Sequence, residues 1–334
     1  MRRVTKLVFV ACLILSFFSS KGQDVVTESK EVKLMGCRFA FRVVAEDEAT
    51  AWKAIEAGIS EIDRIEKLIS SWDPKSQTSE INRMAGEQAV IVDRELFNLI
   101  QRAVKISELT NGAFDISFAS MDRIYSFDRE EKALPSSETI NNARALIDWK
   151  NIVLDDNSSS VKLKEKGMKI GFGAIGKGYA ANRAKHVMET IPGVMGGIVN
   201  ASGDLSIWGE SSHKMNEWNI KISDPSDPNR ILADIMVQNT SVITSGDYEK
   251  YFTTEGKRYA HIIDPQSGLP TTGIKSTTII CQDAEIGDAL ATSVFVLGVE
   301  DGMYLINALN GVEAIIVTDE NTIVHSDNLK LNYY

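Results

Sequence analysis

The stretch GFGAIGKG, at residues 171–178, matches parts of two phosphate-binding motifs. Gly171, Gly173 and Gly176 have the spacing of the dinucleotide-binding pattern GxGxxG. Gly171, Gly176 and Lys177 have the spacing of a P-loop, GxxxxGK. In either motif, backbone N–H groups at the start of a helix face a phosphate. The two motifs belong to different folds, so the surrounding sequence has to decide between them.

Both motifs fail at a neighbouring residue. A dinucleotide-binding unit needs an acidic residue at the end of the next strand, but here that strand, GGIV, ends at Asn200. A P-loop needs serine or threonine after its lysine to hold Mg²⁺, but here Gly178 follows. A glycine-rich turn that lets a strand pack closely on a helix is the simpler alternative, although it does not explain Lys177.

The periodicity of the remaining chain predicts an α+β fold with mixed or antiparallel sheets, because the regular alternation of a doubly wound fold is missing. Residues 23–33 are interpreted as a mobile polar leader and residues 70–86 as a polar loop. Helical spacing of apolar residues predicts helices at 46–70, 93–112, 136–147, 177–191, 283–298 and 299–309. Short apolar or alternating runs predict strands at 35–45, 151–156, 160–170, 196–209 (strand, turn, strand), 218–224, 231–239, 241–246, 276–282, 312–319 and 322–327.

The N-terminus has the composition of a secretory signal peptide. Arg2, Arg3 and Lys6 precede an apolar run, Leu7–Phe18, which is too short to span a bilayer. Small residues then offer a cleavage site before Gln23.

The domain organisation follows as a signal peptide at 1–22 and one domain at 23–334. The mature chain is expected to be exported, as a periplasmic protein or one that faces the periplasm from the membrane. An uncleaved membrane anchor is the alternative. A lipid anchor on Cys12 is less favoured, because this cysteine lies inside the apolar run.

Composition excludes some classes of function. The 334 residues carry a formal net charge of −10, which argues against nucleic-acid binding. Cys37 and Cys281 allow one disulfide or two buried free thiols, and the second is favoured. The histidines lack the spacing of zinc ligands: His186, His213, His261 and His325.

Three further polar stretches carry candidate chemistry. The segment 244–270 concentrates Ser, Asp, Tyr, His and Arg among turn residues, and NASGD at 200–204 is a polar turn between strands. In DALAT, Asp288 and Thr292 lie four residues apart, on one face of a predicted helix, where they could supply two oxygen ligands to Mg²⁺. The simpler alternatives are a carboxylate facing the helix dipole and a threonine bonded back to its own helix.

Taken together, these stretches resemble the ApbE family of FAD:protein FMN transferases, from about Met35 to the C-terminus. The matching segments are MGCRF, SSWDPKSQTSEINR, GAFDIS, GFGAIGKGYA, NASGD, TSGDY, HIIDPQSGLP and DALATSVFVLG. The resemblance implies an ApbE-like (T-fold-like) two-part architecture with flanking helices, unrelated to Rossmann or P-loop folds. It also implies a Mg²⁺-dependent enzyme that transfers FMN from FAD to a threonine hydroxyl of an acceptor protein and releases AMP. Such acceptors are typically subunits of exported or membrane-bound electron-transfer complexes.

The resemblance also implies a set of site residues. The metal would be held by Asp288, Thr292 and the backbone carbonyl of Ala174. His261 is the candidate general base, because its side chain titrates in the useful range, and Asp288 is counted with it as catalytic. The flavin site would fall on Met35, Trp72, Ala113, Phe114, Asp115, Lys177, His261 and Ile262.

Most of these residues also have a purely structural interpretation. His261 could bond the Asp264 turn, Trp72 could belong to the core, and Asp115 could be a turn or cap residue. Simple packing would account for the three apolar residues: Met35, Ala113 and Ile262.

The sequence departs from the family pattern at two positions. The family usually has aspartate where Gly171 stands, so one polar contact of the ligand site is expected to be missing. Ser202 stands where glycine is commoner. An FAD pyrophosphatase that uses water, and a flavin-binding protein without catalysis, remain the alternative functions.

Overall fold

The structure is a computed structural model that describes residues 25–121, 124–125, 127, 134–212, 215–247, 251–254, 257–329 and 332–333. The signal peptide predicted at 1–22, with Cys12, lies outside the described residues, as does His213.

Antiparallel strands dominate the fold. The strands are β1 Val26–Leu34, β2 Cys37–Ala45, β3 Val90–Ile91, β4 Ile152–Asp155, β5 Ser160–Leu163, β6 Val194–Ala201, β7 Asp204–Gly209, β8 Trp218–Asp224, β9 Asp227–Val237, β10 Ser241–Gly246, β11 Tyr251–Thr254, β12 Lys257–Ala260, β13 Ile274–Cys281, β14 Glu313–Thr318, β15 Ile323–His325 and β16 Asn332–Tyr333. Eight of them form one sheet in the order β1-β2-β6-β7-β10-β13-β14-β15. Smaller sheets have the orders β16-β9-β8, β3-β5-β4 and β11-β12. Every pairing among the described strands is antiparallel, so the predicted α+β class is confirmed and the parallel Rossmann arrangement is ruled out.

Six α-helices in the described part of the chain flank these sheets. They are α1 Glu48–Ile69, α2 Gln77–Arg83, α3 Arg94–Leu109, α4 Ser137–Arg144, α5 Gly176–Glu189 and α6 Ala284–Asn307. The two longest of these helices, α1 and α6, each begin after an aspartate that caps the helix. The Asp47 side chain accepts a hydrogen bond from the Thr50 backbone N–H, and the Asp283 side chain accepts one from that of Ile286.

The eight-stranded sheet is covered on both faces. Successive residues of a strand point to opposite faces, and Val43 packs with α1 and α5 whereas Val44 packs with β8 and β9. On β10, Ile243 packs with α6 and Val242 packs with β8 and β9. The large sheet therefore carries α1, α5 and α6 on one face and a small antiparallel sheet on the other.

The leader interpretation of residues 23–33 is wrong. Residues Val26–Leu34 form β1, which pairs with all of β2. Its charged residues obscured the strand, but charged side chains are usual on an edge strand, where they discourage pairing with other chains.

The loop interpretation of residues 70–86 is wrong in part. Residues Gln77–Arg83 form α2, and the Ser76 side chain caps it by accepting a hydrogen bond from the Ser79 backbone N–H. A helix of seven residues is too short to show a clear apolar period, which is why the pattern missed it.

Helix α6 combines the two helices predicted at 283–298 and 299–309. Gly298 interrupts it with φ 80° and ψ −178°, which is non-helical. By length and composition alone α6 could cross a membrane, but half of its most apolar window is buried inside the fold, where it packs as a core helix.

Cys37 and Cys281 lie on different strands of the large sheet. Cys37 opens β2 and Cys281 ends β13, with β6, β7 and β10 between them. Four steps of ~4.8 Å separate them by ~19 Å, which excludes a disulfide between them. Cys281 is buried as expected, and burial raises the pKa of its thiol to about 12. Cys37 is only half-buried.

Candidate functional site

The glycine-rich stretch lies where the N-termini of α5 and α6 meet. A Cβ atom added to Gly178 would lie 2.0 Å from the carbonyl oxygen of Ala284 and 2.9 Å from Cβ of Asp288. Only glycine fits there without moving one of the helices. The position at which a P-loop needs a hydroxyl is therefore a helix contact.

Asp288 lies at this contact and is almost fully buried, with 2% of its surface exposed. Its Oδ2 atom accepts a hydrogen bond of 3.0 Å from the Gly178 backbone N–H. Burial raises the pKa of the Asp288 carboxyl, whereas the positive charge of Lys177 and the N–H groups of Gly178 and Lys177 lower it. The helix contact thus holds a carboxylate that favours a nearby cation.

Lys177 is paired with a second buried carboxylate. Its Nζ atom donates to Oδ2 of Asp204 at 2.6 Å, and the Asp204 side chain is fully buried. Two carboxylates and one ammonium, when all are charged, leave a net charge of −1 beside the start of α5.

Two further oxygen atoms complete a possible ligand set. Thr292 makes no hydrogen bond through its hydroxyl to any residue that the structure describes, whereas the hydroxyl of neighbouring Ser293 donates to the Ala289 carbonyl at 2.7 Å. The predicted back-bonding alternative therefore applies to Ser293 and not to Thr292. The carbonyl of Ala174, just before the N-cap of α5, also accepts no hydrogen bond from the described part of the chain. A carboxylate, a hydroxyl and a carbonyl are the oxygen ligands that suit Mg²⁺.

These atoms face a cavity of about 1150 Å³. It is large enough for an extended ligand, since small-molecule sites usually span about 300–1,000 Å³. Every residue that the resemblance placed in the site lines this cavity: Met35, Trp72, Ala113, Phe114, Asp115, Ala174, Lys177, His261, Ile262, Asp288 and Thr292.

Trp72 and Met35 form part of the wall. The side chain of Trp72 is 72% exposed, so its interpretation as a core residue is wrong, and its ring is free to stack on a flat ligand. Met35 has φ 49°, in the turn between β1 and β2, and its backbone N–H donates to Oε2 of Glu66 at 2.8 Å. Helix α1 thereby fixes the turn that presents Met35.

Asp115 combines a structural role with its place in the wall. Its Oδ1 atom accepts hydrogen bonds from the backbone N–H and the hydroxyl of Ser117, and its Oδ2 atom accepts one from the Trp149 backbone N–H. Burial raises the pKa of the Asp115 carboxyl, and these hydrogen bonds lower it. Asp115 therefore has the structural role of a turn or cap residue, and it also borders the cavity.

His261 follows β12 directly and is half-buried. Its ring and that of Phe127 are nearly perpendicular, with the centroids 6.4 Å apart. Both carboxylate oxygens of Asp264 accept hydrogen bonds from backbone N–H groups of their own turn, at Gln266 and Ser267. The Asp264 turn is therefore closed by hydrogen bonds from its own backbone N–H groups. The His261 imidazole borders the cavity.

Gly171 is not one of the described residues that line the cavity. Its backbone N–H donates to the Ile116 carbonyl at 2.9 Å, and an added Cβ would lie 3.0 Å from Cβ of Ala119. The nearest polar side chain is Ser71, whose hydroxyl would lie 3.8 Å from that Cβ and which does line the cavity. The Ser71 hydroxyl therefore lies close to the position that the side chain of the expected aspartate would begin from.

Several residues of the site were not assigned to it by the sequence, and Glu66, Ser202 and Asp204 are examples. Each of them lines the cavity or binds a residue that does. The signal for Asp204 was its place as the last residue of NASGD, directly before the apolar residues of a strand, because a buried aspartate needs a partner.

Most of this chain is similar to known proteins. The family model of the ApbE family matches residues 35–316. An FAD:protein FMN transferase of Klebsiella pneumoniae is 32% identical over 302 residues, which cover 90% of this chain and 92% of the relative. One of Treponema pallidum is 28% identical and covers 94% and 91%. The crystal structure of the ApbE protein of Thermotoga maritima superimposes with a TM-score of 0.81 at 30% identity, covering 90% of this chain and 97% of that one. The apo form of the flavinyl transferase ApbE of Pseudomonas stutzeri shares the fold, with a TM-score of 0.78 at 24% identity and coverage of 91% and 95%.

Proposed function

This chain belongs to the ApbE family and is an FAD:protein FMN transferase, and from this premise we propose that Mg²⁺ assists the reaction and that a threonine hydroxyl of the acceptor receives the FMN. The observation that carries the proposal is the group of oxygen atoms at the start of α5 and α6. Asp288 is buried there beside the open hydroxyl of Thr292 and the open carbonyl of Ala174.

Charge supports a cation at this place. Asp204 and Asp288 outnumber Lys177, so the cavity wall is negative where a pyrophosphate has to approach. A divalent cation on Asp288, Thr292 and Ala174 would reverse that sign. It would also act as a Lewis acid on the pyrophosphate.

The residues of the chain itself would orient the reactants. Lys177 adds a point charge for a phosphate oxygen, and Trp72 offers an exposed face for a ring of FAD. The acceptor hydroxyl oxygen would attack the phosphorus on the FMN side, the bond to the bridging oxygen would break, and AMP would leave with the electron pair. His261 borders the same cavity and would take the hydroxyl proton.

The partner and the compartment are part of the proposal. The acceptor would be an exported subunit of an electron-transfer complex that carries a reactive threonine. The apolar N-terminal segment would direct the chain to the periplasm. Cell fractionation with and without residues 1–22 tests this part, and a full-length chain that stays in the cytoplasm would contradict it.

The central experiment is mass spectrometry of an acceptor protein co-expressed with this chain. The expected result is an added FMN on one threonine, which is lost with Asp288→Ala. His261→Ala should slow transfer by about 10²–10⁴-fold, the usual contribution of a general base. Rapid formation of FMN from FAD without an acceptor would instead indicate a pyrophosphatase. Tight FAD binding with no turnover at any Mg²⁺ concentration would indicate a binding protein.

A further inference from the structure

The pairing of Asp204 with Lys177 is not explained by substrate binding alone. Asp204, the first residue of β7, is fully buried and accepts a hydrogen bond from the ammonium of Lys177 at 2.6 Å. A lysine that served only to bind phosphate would not need a second buried carboxylate.

Lys177 has a competing partner close at hand. The next residue, Gly178, donates its backbone N–H to Asp288 at 3.0 Å, so the backbone of Lys177 also lies close to that carboxylate. The positive charge of Lys177 already acts on the Asp288 carboxyl. The lysine stem is long and flexible, so its ammonium can turn from one carboxylate to another nearby.

The position of Asp204, by contrast, is fixed by backbone pairing. It is the first residue of β7, directly opposite Ala201 in the β6–β7 hairpin and Ile243 in β10. The two-residue turn between these strands is closed by the Asn200 side chain, which accepts a hydrogen bond from the Gly203 backbone N–H at 2.8 Å. A carboxylate held between strands in this way is a rigid anchor.

We propose that Asp204 is a positioning residue that holds Lys177 against β7 and thereby keeps Asp288 available to a divalent cation. The inference rests on the proposed function, which places the cation at Asp288. With the pair formed, the charge of Asp288 is open to the cation. Without Asp204, the ammonium moves to Asp288 and competes with the cation for the same carboxylate.

The test measures the affinity of the purified chain for Mn²⁺ in the absence of FAD. Binding is monitored by electron paramagnetic resonance as the loss of the signal of free Mn²⁺. Asp204→Asn, which keeps the shape of the side chain, should weaken Mn²⁺ binding by about tenfold or more, whereas in a Lys177→Met background the same change should weaken it by less than about threefold. Asp204→Glu, which keeps the charge, should retain most of the affinity.

Two results would overturn the inference. Unchanged Mn²⁺ affinity in Asp204→Asn would show that Lys177 does not compete for Asp288. Equal losses in both backgrounds would show that Asp204 acts on the cation directly. If Asp204→Asn does not fold, the Lys177→Met chain is compared with the double variant that also carries Asp204→Asn. A tenfold loss of Mn²⁺ affinity between these two chains also contradicts the proposed role of Asp204.

Two controls separate this inference from the proposed function. Glu285→Gln removes another buried carboxylate, which pairs with Arg102 at 2.6 Å, and it should leave Mn²⁺ affinity unchanged. Asp288→Ala should abolish Mn²⁺ binding. If Asp288→Ala binds Mn²⁺ normally, the cation site itself is wrong, whatever Asp204 does.

Discussion

Thr292 and Ser293 are adjacent hydroxyls on α6 with different surroundings. Thr292 lines the cavity and makes no hydrogen bond to a described residue, whereas Ser293 is buried and bonded to Ala289. Thr292→Val should lower FMN transfer at least about tenfold, because ligand-shell losses in metal sites commonly cost 10–100-fold. Turnover at varied Mg²⁺ concentration, together with urea unfolding, would measure this effect.

Ser293→Ala is the matched control. It should leave transfer unchanged and cost about 1 kcal/mol of the free energy of unfolding, the usual net value of one hydrogen bond. Thr292→Ser should recover activity, since it keeps the oxygen. A Thr292→Val chain with normal turnover would remove this hydroxyl from the proposed metal site.

Ser202 has a strained backbone in the turn of NASGD. Its φ is 55°, in the left-handed region, and its side chain lines the cavity. Ser202→Gly should therefore raise the free energy of unfolding by about 1 kcal/mol, because only residues with a Cβ are penalised there.

Ser202→Ala is the comparison for this prediction, because it keeps the Cβ and removes only the hydroxyl. It should be less stable than Ser202→Gly in urea unfolding. Equal stabilities of the two variants would mean that the turn is not strained.

At the scale of elements, the contact between α5 and α6 depends on one missing Cβ. Gly178→Ala would place that atom 2.0 Å from the Ala284 carbonyl oxygen and push the helices apart. The expected cost is at least about 1–3 kcal/mol of the free energy of unfolding, as for overpacked cores, together with weaker Mn²⁺ binding.

Gly173→Ala is a control within the same stretch. Its added Cβ would meet only Cζ of Phe118, at 3.4 Å, which is close to ordinary contact. Thermal unfolding of both variants tests the difference, and a Gly178→Ala chain as stable as Gly173→Ala would show that the helices can separate at little cost.

A charged cluster joins α1, α3 and α5. Glu95 accepts hydrogen bonds from Nη1 of Arg64 at 2.7 Å and from the Tyr179 hydroxyl at 2.6 Å. The Arg64 guanidinium holds the pKa of the Glu95 carboxyl down at about 2, below its ordinary value of 4.5. A lowered folded-state pKa adds stability above pH 4.5, and this contribution is lost as the pH falls towards 2.

Urea midpoints measured between pH 7 and pH 2 test this linkage. The decline of stability below pH 4.5 should be shallower in Glu95→Gln than in the unaltered chain. Glu87→Gln, at an exposed carboxylate, is the control and should follow the unaltered chain. Identical profiles for all three chains would mean that Glu95 does not contribute to acid sensitivity.

The sequence predicted the elements with strong periods and missed those without them. Helix α1 and the break at Gly298 followed from apolar spacing and glycine placement. Strand β1 and helix α2 did not, because one is a charged edge strand and the other has only two turns. Strand pairing over long separations, such as β2 with β6, has no local signal at all.

Some residues of the site could likewise be predicted from the sequence, and others could not. Lys177, Asp288 and the other ligand-facing residues could be named because resemblance to a family marks each position. Asp204 and Glu66 could not, because their roles depend on partners 27 and 31 residues away that only the folded chain brings into reach. Such contacts are properties of packing, and no short motif encodes them.

For the whole molecule, the segment Val26–Leu34 is part of the fold and not a mobile leader. Strand β1 covers the edge of β2 and leads into the turn that presents Met35. A chain that begins at Gln23 should be monodisperse and bind FAD. A chain that begins at Cys37 should aggregate, because it exposes the edge of β2. Size-exclusion chromatography and FAD fluorescence quenching would distinguish them, and a well-behaved shorter chain would show that β1 is dispensable.

The residues that line the cavity are synthesised at widely separated times. Met35 emerges from the ribosome about 250 positions before Thr292, and at ~5–20 residues per second this interval lasts roughly 10–50 s. Throughout it the wall contributed by α6 does not exist. The complete cavity therefore exists only after α6 has been synthesised, which places this part of the site late in the life of the growing chain.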